Sequence, residues 1–129
     1  MALIKEDLKR MPVKYVRDRA KANYVKGTNC YICDTTEDLE FHHYCSVSEM
    51  FHKWEKKNKL KIETVDDILE CRDDFIEEHR EQMYNDTVTL CKEHHKNGIH
   101  RLYGRNPVLA TAKKQARWVQ RQRDKHGLV

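Results

Sequence analysis

The chain has 129 residues and a formal net charge of +4, with 36% charged and 39% hydrophobic side chains. Such a length suits one domain, and so lean an apolar content leaves a small core that a bound metal would help to stabilise. No apolar stretch near the start reads as a signal peptide and none is long enough to cross a membrane. A cytoplasmic protein with no membrane partner is therefore expected, its five cysteines binding metal as thiolates and not pairing.

The spacing of Val13, Val16, Ala20 and Tyr24 predicts a helix over 12–26, with Pro12 in its first turn and Gly27 as its stop. Asn29 to Asp34 reads as a tight loop presenting Cys30 and Cys33. Leu39-Glu40-Phe41-His42-His43 alternates as a short strand. A helical insertion over about 45–84 follows. Its first helix starts at Ser46, with Glu49 completing a capping box, and buries Val47, Met50, Phe51 and Trp54. Its second runs over 64–84 with an apolar stripe of Val65, Ile68, Leu69, Phe75, Ile76 and Met83. Thr87-Val88-Thr89-Leu90 gives a second strand ending at Cys91, where a helix carrying His94 and His95 begins. A last helix spans about 106–125, with Asn106 as N-cap, Pro107 first, and Leu109, Ala112, Ala116 and Val119 facing inward.

Charge is distributed unevenly along these elements. Residues 62–86 hold ten acidic side chains against Arg72 and Arg80, a net −8, so the remainder carries +12. The positive charge gathers in Lys5, Lys9, Arg10, Lys14, Arg17, Arg19, Lys21 and Lys26 at one end, and in Lys113, Lys114, Arg117, Arg121, Arg123 and Lys125 at the other. Basic flanking helices suit a polyanion such as DNA. The acidic helix would repel it and belongs on the far side or at a protein interface.

The metal-ligating residues are the most specific signal. Cys30-x-x-Cys33 can grip one ion from a tight turn, and Cys91 with His94, at a strand end and a helix start, can complete a tetrahedron. Three thiolates and one imidazole favour structural Zn2+. His95 in place of His94 is the alternative fourth ligand. Cys45 and Cys71 have no partner at metal spacing and read as small apolar residues. His42 and His43 are adjacent on a strand and point to opposite faces, so a division of roles is expected: one ligates a second cation and the other reaches the substrate.

Cys30-x-x-Cys33, then Leu39 to His43, then Thr87-Val88-Thr89-Leu90-Cys91-Lys92-Glu93-His94-His95 resemble the HNH, or ββα-metal, endonucleases. The likeness is strongest to the small HNH endonucleases of bacteriophages, including free-standing homing types. It covers roughly 28–103 and leaves the insertion outside. The resemblance implies an α+β fold: a ββα-metal, treble-clef-like, zinc-stabilised core (about 28–44 and 85–103), a helical insertion between the two strands, and flanking N- and C-terminal helices, all in a single domain over 1–129. It implies a metal-dependent DNA endonuclease leaving 5′-phosphate and 3′-hydroxyl ends. In that scheme His43 is the general base, and His42 and His95 hold one divalent cation, Mg2+, Mn2+ or Ni2+. Lys92, Lys96, Arg101 and Arg105 stand nearest the cleavage point, with Lys113, Lys114 and Arg117 extending the DNA footprint.

The sequence departs from the family pattern at three places. Asp86 stands where the family has its central Asn, which braces the loop and orients the base, so the resemblance gives that catalytic role to the Asp86 carboxylate, with Asn85 beside it. His100 follows His95 by five residues instead of four, a step that turns about 140° from the starting face of an ideal helix, so that His100 is either a third cation ligand or a phosphate contact, admitted by a turn loosened at Gly98, or a surface histidine. His42 replaces the Asp of many members and shifts the cation preference from magnesium toward manganese or nickel. The competing functions are a non-catalytic zinc-stabilised nucleic-acid-binding module and an accessory nuclease of phage DNA packaging. Target specificity would then come from the insertion, from a homodimer or from a phage protein partner.

Overall fold

The computed structural model describes Ile4 and residues 7–128. Lys5 and the side chain of Lys9, two of the expected polyanion contacts, lie outside the described residues. Among the described residues the fold is α+β, with a two-stranded antiparallel sheet and six helices. No helix is long and apolar enough to cross a membrane. The chain divides into two compact units, Met1–Tyr24 with Val47–Asn85, and Val25–Ser46 with Asp86–Val129. The first joins the N-terminal helix to the insertion; the second joins both strands to the C-terminal helix.

The first unit contains α1 (Asp7–Ala20), α2 (Val47–Lys57) and α3 (Val65–Glu78). Its core is Val13, Val16, Ala20, Val47, Met50, Phe51, Trp54, Ile68, Phe75, Ile76 and Met83. The rings of Phe51, Trp54 and Phe75 pack with centroids 5.2–5.8 Å apart. Helix α1 starts five residues before the predicted boundary, so Pro12 lies buried inside it and does not open it. A mid-helix proline costs about 3 kcal/mol, which the burial of Pro12, Val13 and Val16 at about 1.5–3 kcal/mol per side chain offsets. The helix also ends early, at Ala20, in a 3₁₀ turn over Lys21–Asn23. Gly27 is therefore not its stop. Leu69 departs from the predicted stripe and is 40% exposed. Thr64 caps α3 through a reciprocal box with Asp67, and a π-helical turn (Glu81–Asn85) ends the unit. Arg19 of α1 pairs with Asp73 of acidic α3 at 3.0 Å, an exposed contact contributing under about 1 kcal/mol.

The second unit is built on β1 (Leu39–His43) and β2 (Thr87–Cys91), paired antiparallel from Leu39 opposite Cys91 to His43 opposite Thr87. Two-residue periodicity puts Glu40 and His42 on one face and Leu39, Phe41 and His43 on the other. Beyond Cys91 run α4 (Lys92–His94), a π-helical turn (His95–Ile99) and α5 (His100–Tyr103). The last helix, α6 (Ala112–Lys125), begins six residues later than predicted. Pro107 is buried in the preceding segment and Val108 is extended (ψ 151°); the fixed φ of proline fits that conformation as readily as a helix start. Cys30, Ile32, Leu90, Cys91, Ile99 and Val119 form a small core, flanked by Cys33, Leu39, Tyr44, Val88, Tyr103 and Trp118. Gly27 donates its N–H to Thr89 Oγ1 at 2.7 Å, and a Cβ there would sit 3.3 Å from that oxygen. Its role is close approach to β2.

Replacing Thr64 with Ala removes the cap of α3 and is expected to cost about 1 kcal/mol. Equilibrium urea unfolding should show a lower midpoint at unchanged slope.

Candidate functional site

Four potential zinc ligands converge in the second unit. Cys30 and Cys33 sit in a loop closed by hydrogen bonds from Cys30 N–H to Thr35 O and from Asp34 N–H to Cys30 O, both 2.8 Å. Asp34 adopts φ 65°, a left-handed conformation that aspartate tolerates better than most residues. Tyr31 N–H donates to Thr89 O at 3.0 Å and pins the loop to β2. Cys91 is the last residue of β2 and the extended N-cap of α4, which brings His94 round three residues later. Cys33 Sγ lies 3.8 Å from Cys91 Sγ, while His94 Nδ1 lies 3.3 Å from Cys91 Sγ and 3.8 Å from Cys30 Sγ. With Zn–S near 2.3 Å, a tetrahedral site has sulfur–sulfur edges of about 3.8 Å. The cluster could hold zinc. Burial opposes ionisation of the Cys91 thiol, and a cation bound there would favour its thiolate. His94, not His95, stands with the cysteines.

A second group, His42, His95 and His100, could also hold a metal ion. His95 Nε2 lies 3.1 Å from His42 Nδ1 and 3.0 Å from His100 Nε2. Each ring's other nitrogen has an acceptor. His42 Nε2 meets Gln115 Oε1 at 2.8 Å, His95 Nδ1 meets Glu40 Oε1 at 3.0 Å and His100 Nδ1 meets the Gly104 carbonyl at 2.9 Å. Burial opposes ionisation of Glu40, but hydrogen bonds from His95 and Lys96 hold it below the usual carboxylate range, so it accepts and His95 Nδ1 donates. Burial first, and the neighbouring imidazoles after it, hold His42 down to about 3 against the opposing pull of Gln115. An acceptor at each outer nitrogen suits the tautomer in which a neutral imidazole turns a bare nitrogen toward a metal ion.

The five-residue step to His100 is accommodated by the π-helical turn. The His100 N–H bonds to the His95 carbonyl, a wider i→i+5 closure than an α-helix makes. Gly98 lies within that turn, where a Cβ would meet Trp118 at 3.0 Å and the Glu93 carbonyl at 3.3 Å.

A hollow of about 620 Å³ opens beside these histidines, lined by His95, Lys96, Asn97, His100, Arg101 and Arg105. Three of the predicted DNA contacts, Lys96, Arg101 and Arg105, thus share one wall system. Lys96 also pairs with Glu40 at 3.2 Å. Lys92, Lys113, Lys114 and Arg117 are exposed on the same unit, outside that lining.

His43 is not part of the triad. Its ring packs edge-on against Phe41 at 5.2 Å, on the strand face opposite His42. Asp86 is exposed, and its carbonyl accepts from Tyr44 N–H at 3.1 Å beside the end of β1. Asn85 turns its amide to Glu81 at 2.7 Å within the preceding turn. Cys45 and Cys71 stand outside both metal-ligating groups. His52 pairs with Glu55 and His79 stacks on Phe75, while His126 lies edge-on to His94.

Sequence reasoning missed Gln115, Glu40 and the Gly104 carbonyl. Gln115 interrupts the apolar stripe of α6, and Glu40 shares His42's face by simple alternation; both signals were available. The carbonyl had none.

The chain matches the phage T5 nicking endonuclease family, described as "Nicking endonuclease family", over residues 1–127. No solved structure matches it.

Elemental analysis of the purified protein is expected to give about one zinc per chain that survives mild chelation. Cys33→Ser should lose it, and a full retained equivalent in that variant would exclude the Cys3His site.

Proposed function

The chain belongs to the phage T5 nicking endonuclease family, which makes it a DNA-cleaving enzyme, and we propose that it hydrolyses a DNA phosphodiester, cutting one strand, by an HNH-type mechanism. The observation that carries this reading is the convergence of three imidazole nitrogens at 3.0–3.1 Å beside a hollow walled by Lys96, Arg101 and Arg105. A cation bound between the three nitrogens would accept all their lone pairs at once. The nuclease resemblance of the sequence supports the same assignment.

His42 Nδ1, His95 Nε2 and His100 Nε2 would hold a divalent cation. When bound, such a cation neutralises charge on the scissile phosphate and on the leaving oxygen. The resemblance gives the general base to His43, whose ring lies against Phe41 on the strand face opposite the triad, so in this scheme the attacking water is approached from the strand edge and not from the hollow; imidazole, with an ordinary pKa of about 6.5, suits that task near neutral pH. Lys96, Arg101 and Arg105 bind phosphates flanking the cut, contacts that position the backbone without reading sequence. Lys113, Lys114 and Arg117 of α6 extend the basic surface. The backbone bond between Asp86 and Tyr44 steadies the strand end that carries His43. Zinc on Cys30, Cys33, Cys91 and His94 is structural in this scheme, and the second cation is catalytic.

Incubation with supercoiled plasmid and Mg2+, Mn2+ or Ni2+ should yield nicked circles. His43→Ala should lower the rate by about 10²–10⁴-fold. Wild type and variant that both retain DNA on a gel and both fail to cut would instead favour a binding module. With only imidazole nitrogens as ligands, Mn2+ or Ni2+ should support a rate at least equal to that with Mg2+. Replacing Arg101 and Arg105 with Ala together should reduce the logarithmic salt dependence of DNA binding by about two.

A further inference from the structure

Gln115 is polar yet fully buried on α6. Its side-chain nitrogen donates to the Tyr44 carbonyl at 3.3 Å and to Thr111 Oγ1 at 2.9 Å. A carbonyl can only accept, so the amide nitrogen must lie on that side. The oxygen is then the atom 2.8 Å from His42 Nε2. An acceptor there requires a proton on His42 Nε2, and a neutral imidazole carries only one ring proton. His42 Nδ1 is thereby left bare, and Nδ1 is the atom facing His95 and the rest of the triad.

From this chain of donors and acceptors we infer that Gln115 is a positioning residue. It fixes the tautomer and ring orientation of His42, so that Nδ1 is presented to the cation. This rests on the reading of the triad as a cation site. It adds that the seating of α6 determines whether the site is assembled. The outer face of the same helix carries Lys113, Arg117 and Arg121, all exposed. One helix therefore serves the proposed DNA footprint on one side and the ligand geometry on the other. Such an outer-shell partner typically supports metal affinity by about 10–100-fold.

The test uses the full-length, zinc-loaded chain and Mn2+ as probe. Nitrogen-15 NMR of the ring of His42 in the absence of Mn2+ should show one tautomer, protonated on Nε2. Gln115→Met, close in size but unable to accept or donate these bonds, should show a mixture of tautomers and bind Mn2+ about 10–100-fold more weakly. Gln115→Glu keeps an acceptor toward His42 while losing both donors, and its Mn2+ affinity should stay closer to wild type. Protonation of wild-type His42 on Nδ1 would overturn the inference whether or not Mn2+ binds. Equal losses in Met and Glu variants would trace the effect to packing and also overturn it, as would a folded Gln115→Met with unchanged tautomer and affinity. Wild-type protein binding Mn2+ no better than His42→Ala would instead remove the cation reading itself, and the ring nitrogen shifts would still decide the tautomer.

Discussion

Cys30 and His94 stand 64 positions apart in the chain, yet their ligating atoms lie 3.8 Å from each other. With Cys33 and Cys91 they gather a loop, the end of a strand and the start of a helix around one point. That unit's buried apolar core amounts to little more than Ile32, Leu90, Ile99 and Val119, too little to fix three elements by packing alone. A metal held by these four donors would contribute folding free energy directly. Once β2 and α4 are set at that corner, the pairing of β1 with β2 puts Glu40 and His42 on one face, and His95 and His100 reach them from the helical run.

Two adjacent histidine pairs are each divided by backbone geometry. On β1, His42 and His43 point to opposite faces, so one joins the triad and the other packs on Phe41. At the start of the helical run, His94 and His95 are separated by roughly 100° of rotation. The first completes the cysteine cluster and the second faces His42. The two centres are therefore neighbours in the chain without sharing a ligand, and a change in the direction of α4 would disturb both.

The parts of this arrangement that were legible in the sequence are those fixed by short-range spacing. The Cys-x-x-Cys and Cys-x-x-His pairs, both strands and the start of the insertion's second helix at Thr64 follow from residue types within a few positions. Boundaries that depend on tertiary burial were not legible. Pro12 looks like a helix start until the burial of Val13 and Val16 carries α1 past it, and Asn106-Pro107 looks like another until Pro107 is buried in an extended segment. The histidine triad was half legible. His42 and His95 follow from the resemblance, whereas His100 depends on a helix winding that residue spacing does not specify. Gln115 lay on the predicted inner face of α6, where a polar residue among Ala112, Ala116 and Val119 signals a buried partner. Naming that partner as His42 needs coordinates.

The π-helical turn between His95 and His100 bears on how such proteins are recognised. An extra residue between two ligands would ordinarily swing the second out of reach. Here the backbone absorbs it as a local bulge, and the helix resumes at His100 with the side chain still aimed inward. A motif search that insists on His-x-x-x-His would pass over this chain although the three histidine nitrogens still converge. A π-helical turn can thus bring residues five apart to one point as an α-helical turn does for residues four apart.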